Sequence, residues 1–267
     1  AFMYRKMYHT ANSYNVQHKE VTMGLNLGEA GGTGGGGYEL IPAGDHKGVL
    51  YMYAEVGHHM ESYKDEPERK VWPIFFFWEF PELRTDDDRP MSMMKRYNFS
   101  MHEKSSLRAD LQFWRGKKYK EEELKDFDLD NLLGRPAIIT VEHYAKQDGS
   151  EGAKITSLEK PEDGLDVVPT HNKTQSFVLR EYLKEWQTDD NGNSLSDEGS
   201  KEMCDILEDL PEFVANLIDT SMEKVALMEK VDRDRNQRSQ GGSSGLDSFS
   251  DSTVVEEEKD HADDIPF

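Results

Sequence analysis

Three sets of residues have types and spacings that could do chemistry. The first is the C-terminal pentapeptide Asp263, Asp264, Ile265, Pro266 and Phe267. It closes a stretch, 246–267, that carries eight acidic side chains and one basic. Phe267 can fill an apolar pocket while a basic rim takes its carboxylate and the Asp pair, so the tip reads as a partner-binding anchor on an acidic line. The second set is a basic stripe. Between Arg89 and Lys120 the chain holds nine Lys or Arg and only two acids, Glu103 and Asp110. Cations so placed can follow a phosphate backbone, and Lys95, Arg96, Lys104, Arg108, Arg115, Lys117 and Lys118 are the candidate contacts. The third set is aromatic: Tyr51, Tyr53, Trp72, Phe75, Phe77 and Tyr97, with Phe99 beside them. Single-stranded nucleic acid needs both, cations for phosphates and ring faces for bases, and each stacked base contributes ~1–3 kcal/mol.

Patterns for catalysis are missing. The sequence has no Gly-x-Ser-x-Gly, no His-Glu-x-x-His and no paired carboxylates in an apolar frame. Its nine histidines and one cysteine have no zinc-like spacing, so no metal, no cofactor and no enzyme activity are expected. Asp86, Asp87 and Asp88 read as a solvated turn. His102-Glu103-Lys104 reads as a helix start with one basic contact. The run Gly31 to Gly37 lacks the Lys-Ser/Thr ending of a phosphate loop and the strand and helix of a dinucleotide fingerprint, so it reads as a flexible linker. Cys204 alone cannot form a disulfide within one chain, which fits a reducing cytoplasm. No run of ~18 uncharged apolar residues exists to span a bilayer, so no membrane partner is expected. No apolar stretch follows Arg5, so no signal peptide is expected, and Ala1 reads as the residue after a removed Met.

The formal net charge of −21 argues at first against a nucleic-acid partner. Its distribution reverses that. Residues 1–160 hold 22 basic and 26 acidic side chains, whereas 161–267 hold 10 and 27. A near-neutral body with a basic stripe is followed by a strongly acidic end.

The elements that must position these residues follow from pattern. Residues 1–37 form a polar N-terminal arm ending in the glycine run. From 38 to 160 about five strands are expected: 48–60, the aromatic run 71–80, 93–101, 137–144 and 153–158. A hairpin loop falls at 65–68. Leu107, Leu111 and Trp114 predict an amphipathic helix capped by Ser105 or Ser106 and ended by Gly116, before the fourth strand. Five strands with a helix between the third and fourth predict an OB-fold-like barrel within a mainly β chain, with a generic β-sandwich as the alternative. In 71–80, Trp72, Ile74, Phe76, Trp78 and Phe80 share one face, and Val71, Pro73, Phe75, Phe77 and Glu79 the other. Both faces are apolar, so one is core and the other is covered or used. Residues 161–231 predict a helical appendage, with helices at 176–187 and 198–230 that either pair between chains, giving a homo-oligomer, or fold back on the barrel. Residues 232–267 are too polar to bury a core and are expected to be a disordered acidic tail.

Two resemblances sharpen this reading. The ending Asp-Asp-Ile-Pro-Phe resembles the acidic tip of bacterial single-stranded-DNA-binding proteins, which docks replication and repair enzymes. Residues 38–160 resemble a family of tailed-bacteriophage single-stranded-DNA-binding or replication-associated proteins. The likeness is carried by Ile41-Pro42-Ala43-Gly44, Trp78-Glu79-Phe80-Pro81-Glu82, the stretch from Ser100 to Leu111, Trp114-Arg115-Gly116, Phe127-Asp128-Leu129, Asn131 to Gly134, and Ala137 to Val141. The N-terminal arm and helical appendage depart from the family's compact form. The resemblance implies a protein that binds and protects single-stranded DNA during phage replication, recombination or repair. It implies recruitment of a polymerase, helicase or primase through the tip, in the cytoplasm of an infected bacterium. The alternatives are a metal-dependent nuclease or recombination accessory on the same barrel, and an assembly module without DNA affinity.

Overall fold

The computed structural model describes residues 40–62, 67–147, 149–185 and 205–241. The glycine-rich arm 1–37, Cys204 and the tip Asp263–Phe267 lie outside the described residues. The elements are β1 (Gly44–Glu55), β2 (His59–Glu61), β3 (Arg69–Val71), β4 (Pro73–Arg84) and β5 (Pro90–Asn98). Then come α1 (Ser106–Arg115), α2 (Glu121–Lys125), a 3-10 turn at Leu129–Leu132, β6 (Pro136–Ala145), β7 (Glu151–Glu159) and β8 (Gln175–Val178). The chain continues as α3 (Leu179–Glu185), a helical stretch at 205–209, α4 (Glu212–Thr220) and α5 (Met222–Gly241).

The protein is mainly β, built on a six-stranded sheet. Five strands pair antiparallel in the order β5-β4-β1-β6-β7. β1 is long enough to serve three neighbours. Its first half, Gly44 to Val49, pairs with β6, and its last residues, Met52 to Glu55, pair in parallel with β8. Between them the register to β4 shifts at Leu50 and Met52, and such an irregularity bends a strand and increases its twist. β2 and β3 form a separate hairpin between β1 and β4.

The sheet is not closed into the expected OB-like barrel. Among the described residues no ladder joins the edges β5 and β7, and the sheet stays open there. α1 packs against both of these strands. Its boundaries follow local chemistry. The Ser105 hydroxyl accepts from the Arg108 N–H at 3.1 Å, satisfying one of the free donors of the first turn. Gly116 closes the helix at φ 76°, where a side chain would strain the backbone. Leu107, Leu111 and Trp114 lie on one face and are buried. The Trp114 indole donates to the Pro136 carbonyl at 2.7 Å.

β4 has both faces buried, and each belongs to a different core. Ile74, Phe76, Trp78 and Phe80 pack with Leu50, Met93, Leu111 and Ile139 inside the curved sheet. Phe75 and Phe77 point the other way and pack with Met52, Phe177, Ile206, Val214 and Ile218. The open question of the second face is thereby answered: the C-terminal segment covers it.

That segment differs from its predicted form in three places. Residues 176–178, expected at the start of a helix, belong to β8 (Gln175–Val178); Phe177 in that strand is fully buried in the outer core. The helix expected over 198–230 is interrupted at Pro211, whose ring cannot continue a helix, and again at Ser221. There the Ser221 hydroxyl accepts from the Lys224 N–H at 3.2 Å and starts α5. Residues 232–241, expected to be disordered, continue α5. The described residues up to Val225 belong to one compact unit, and Ala226 begins a second. No helix among the described residues is long and apolar enough to cross a membrane.

If both faces of β4 are core, Phe77→Ala should destabilise the protein as much as Phe76→Ala, by about 3–5 kcal/mol each. Denaturant unfolding checks this. A Phe77→Ala cost under about 1 kcal/mol would show that the outer layer is not part of the cooperative core.

Candidate nucleic-acid interface

The basic stripe is continuous in sequence but divided in space. β5 alternates its side chains, so Lys95 and Arg96 leave on opposite faces. Lys95 turns inward. Its Nζ lies 2.7 Å from Asp110 Oδ2 on α1 and donates to the Thr156 carbonyl of β7 at 3.4 Å. The Tyr97 hydroxyl donates to the same Asp110 oxygen at 2.8 Å. Complete burial and the adjacent Asp110 charge push the Tyr97 phenol well above its ordinary value. Arg96 turns outward and pairs with Glu61 of the β2–β3 hairpin. Arg108 is buried and donates to the Met101 carbonyl and to Glu121, each at 3.0 Å. Arg115 pairs with Glu123 and lies 4.5 Å from the Tyr119 ring centre. That guanidinium, with the Lys120 backbone N–H, holds the Glu123 carboxyl down at about 2. Four of the seven candidate phosphate contacts are therefore committed to carboxylates of their own chain.

The other three are exposed. Lys104 precedes α1, and Lys117 and Lys118 follow it. Lys120 and Lys160 join them, also exposed. Lys160 is placed by packing: a Cβ on Gly116 would lie 3.1 Å from its Cδ, so its stem crosses the end of α1. Among the described residues none of these five ammonium groups has a carboxylate within 4.0 Å. A neighbouring cleft of about 350 Å³ is lined by Arg115 and Arg135 but also by Glu123, Asp126 and Asp128, so it offers a polyanion no net attraction.

The stacking candidates need correction. Tyr53, Phe75, Phe77 and Tyr97 are buried, and stacking on a base requires an open ring face. Tyr53 and Tyr97 belong to the inner core, and Phe75 and Phe77 to the outer one. Tyr51 leans against Phe77, and burial pushes its phenol up to about 12. Trp72 is half-buried, but its ring is already engaged. His58 stacks on it at 4.8 Å, Phe99 meets it edge-on at 4.6 Å, and the Arg180 guanidinium lies 3.9 Å away.

Polar clips hold the outer layer at two points along β4. Glu79 is 1% exposed and accepts from the backbone N–H groups of His171 and Asn172 at 2.9 Å and from the Asn172 amide at 2.8 Å. A buried carboxylate so fully bonded is stable where an unpaired one would be costly. At the start of β4, Trp72 donates to the buried Glu55, whose other bond is from the Gly57 N–H at 2.7 Å. Gly57 has φ 79°, and a Cβ there would sit 2.7 Å from Glu223 Oε2, so only glycine fits. Glu223 accepts from the His58 backbone N–H at 2.8 Å and meets the His58 ring nitrogen. The Met222 N–H returns a bond to the His58 carbonyl at 2.9 Å.

Sequence reasoning missed Glu79, the His58–Glu223 clip, Lys160 and Phe113. Phe113 is 68% exposed on α1, the most exposed of the large apolar side chains described. A helical projection would have found it, since the inward stripe Leu107-Leu111-Trp114 leaves Phe113 off its edge. The chain matches no protein-family model, no curated protein and no solved structure.

Burial raises the Glu223 carboxyl, but the bonds from His58 outweigh it and hold the group below its ordinary value. A depressed acid stabilises the fold above its unfolded pKa, about 4.3, and loses that contribution as pH falls through the folded value. Glu223→Gln should therefore lower stability at neutral pH and leave a flatter acid limb in thermal melts. An unchanged acid limb would show that the clip does not couple to folding.

Proposed function

We propose that this protein binds single-stranded DNA on an OB-like barrel and recruits replication proteins through its acidic C-terminal tip. The strand order β5-β4-β1-β6-β7, with α1 between the third and fourth long strands, supports the OB-like reading, an OB-fold being itself a partly open barrel. Lys95 supports closure by side chains in place of a ladder. It reaches the Thr156 carbonyl across the gap between β5 and β7 while its charge is met by Asp110 of the helix below.

The observation that carries the function is the free lysine set Lys104, Lys117, Lys118, Lys120 and Lys160. The chain has 53 acidic side chains and 32 basic ones. Stability alone would pair such a group with local carboxylates, as it does Lys95, Arg96, Arg108 and Arg115. Exposed lysines without a carboxylate within 4.0 Å are favourable when a polyanion arrives, because binding releases its condensed counterions. The tail 246–267 is the opposing polyanion on the same chain and competes for this surface at low salt. Its tip, Asp263 to Phe267, is the docking element for a polymerase, helicase or primase. The setting is phage DNA replication, recombination or repair in an infected bacterial cell, and the reading assigns the protein no catalysis.

A gel shift with single-stranded and duplex oligonucleotides at two salt concentrations tests this. Retention of the single strand is expected, with log K falling against log salt at a slope of about −3.5 if all five lysines meet phosphates. No retention at low salt overturns the reading. Deleting 246–267 should tighten binding at low salt and have little effect at high salt. Equal affinities at low salt would remove the competition from the account.

A further inference from the structure

We propose that the strand crosses the α1 surface and that Phe113 stacks one of its bases, so that the outward β4/β5 face is not the DNA path. This rests on the single-stranded-DNA reading above and specifies where that binding occurs. The outer face of β4 offers no ring. Phe75 and Phe77 are 1% exposed, Phe213 closes edge-on over Phe75 at 5.8 Å, and the cover is clipped by Glu79 and by Glu223. Arg96 on that face is paired with Glu61.

The α1 surface has what that face lacks. Leu107, Leu111 and Trp114 already fill the core-facing stripe of the helix, so Phe113 contributes nothing to the core and stands in solvent. Its ring face is open to a planar partner, which stacking on a base requires. Lys117 and Lys118 begin four residues beyond it, and Lys160 lies over Gly116 at the same end of the helix. Lys104 marks the other end, about 15 Å away at 1.5 Å per residue. A ring between one exposed lysine at the start of α1 and four near its end matches a strand whose phosphates run along the helix while one base turns onto Phe113. A duplex keeps its base faces stacked on each other and cannot make that contact.

The test is fluorescence titration of the full chain with single-stranded and duplex oligonucleotides, comparing wild type with Phe113→Ala, Phe113→Trp and a Lys117→Ala/Lys118→Ala double variant. Phe113 is exposed and its removal leaves the core intact. Loss of one stacked base should weaken single-strand binding by Phe113→Ala about five- to hundredfold, with the salt slope unchanged. Phe113→Trp should bind at least as well as wild type and add an indole signal that is quenched by the strand. The lysine variant should reduce the salt slope by about 1.4. Wild-type binding with an undiminished Phe113→Ala affinity overturns the inference and leaves the DNA reading standing. Absence of wild-type binding overturns the reading and the inference together. An equal loss on duplex would show that the ring does not stack and would also overturn it. If Phe113→Ala instead raises affinity to the level of the protein lacking 246–267, the patch holds the acidic tail and the proposal fails.

Discussion

β4 is apolar on both faces, and that single constraint organises the described structure. A strand of this kind cannot stand at a protein surface. Phe76, Trp78 and Phe80 require an inner core, and Phe75 and Phe77 require an outer one. The inner core is supplied by the curved sheet and α1, which are close in sequence. The outer core can be supplied only by chain from elsewhere. β8, the 205–209 stretch and α4 meet that need. β8 takes the edge of β1 beyond the point where β6 stops, and this brings Phe177 against the same aromatic face. The segment that reads as an appendage thus supplies six of the eleven buried residues of the outer core.

Packing of neighbouring elements also sorts the charges. The β2–β3 hairpin brings Glu61 to Arg96, α1 brings Asp110 to Lys95, and α2 brings Glu121 and Glu123 to Arg108 and Arg115. Cations in these positions are paired because a partly buried unpaired charge is costly. What is left over is the lysine group at the two ends of α1, where side chains reach solvent and burial makes no demand. A stripe of nine basic residues in sequence becomes a structural set and a free set, and only the free set is available to a ligand.

Local signals in the chain were strong wherever a short segment decides its own form. Ser105 and Gly116 bounded α1 because capping and left-handed termination depend on a few adjacent residues. The long strands and their order around one helix were legible from alternation and turn residues. The C-terminal portion was less legible. Gln175 to Val178 sits in a pattern compatible with a helix, and only the free half-edge of β1 makes it a strand. The aromatic candidates were hard to sort for a related reason. Tyr, Trp and Phe have the same types whether they serve a core or a ligand, and Phe113, the most exposed of the large apolar side chains described, lies on a helix rather than a strand.

By itself the sequence determined the long strands, α1 with its caps, the separation of a near-neutral body from an acidic end, and the apolar character of both faces of β4. These follow from side-chain chemistry and from periods of two and 3.6 residues, which act over a few neighbours. The tertiary structure decided which segment covers β4, which cations meet carboxylates and which ring stays in solvent. Those outcomes depend on groups on different elements, from Arg108 with Glu121 to His58 with Glu223, meeting at distances near 3 Å. Burial and pairing are properties of that meeting, and no local pattern in the chain carries them.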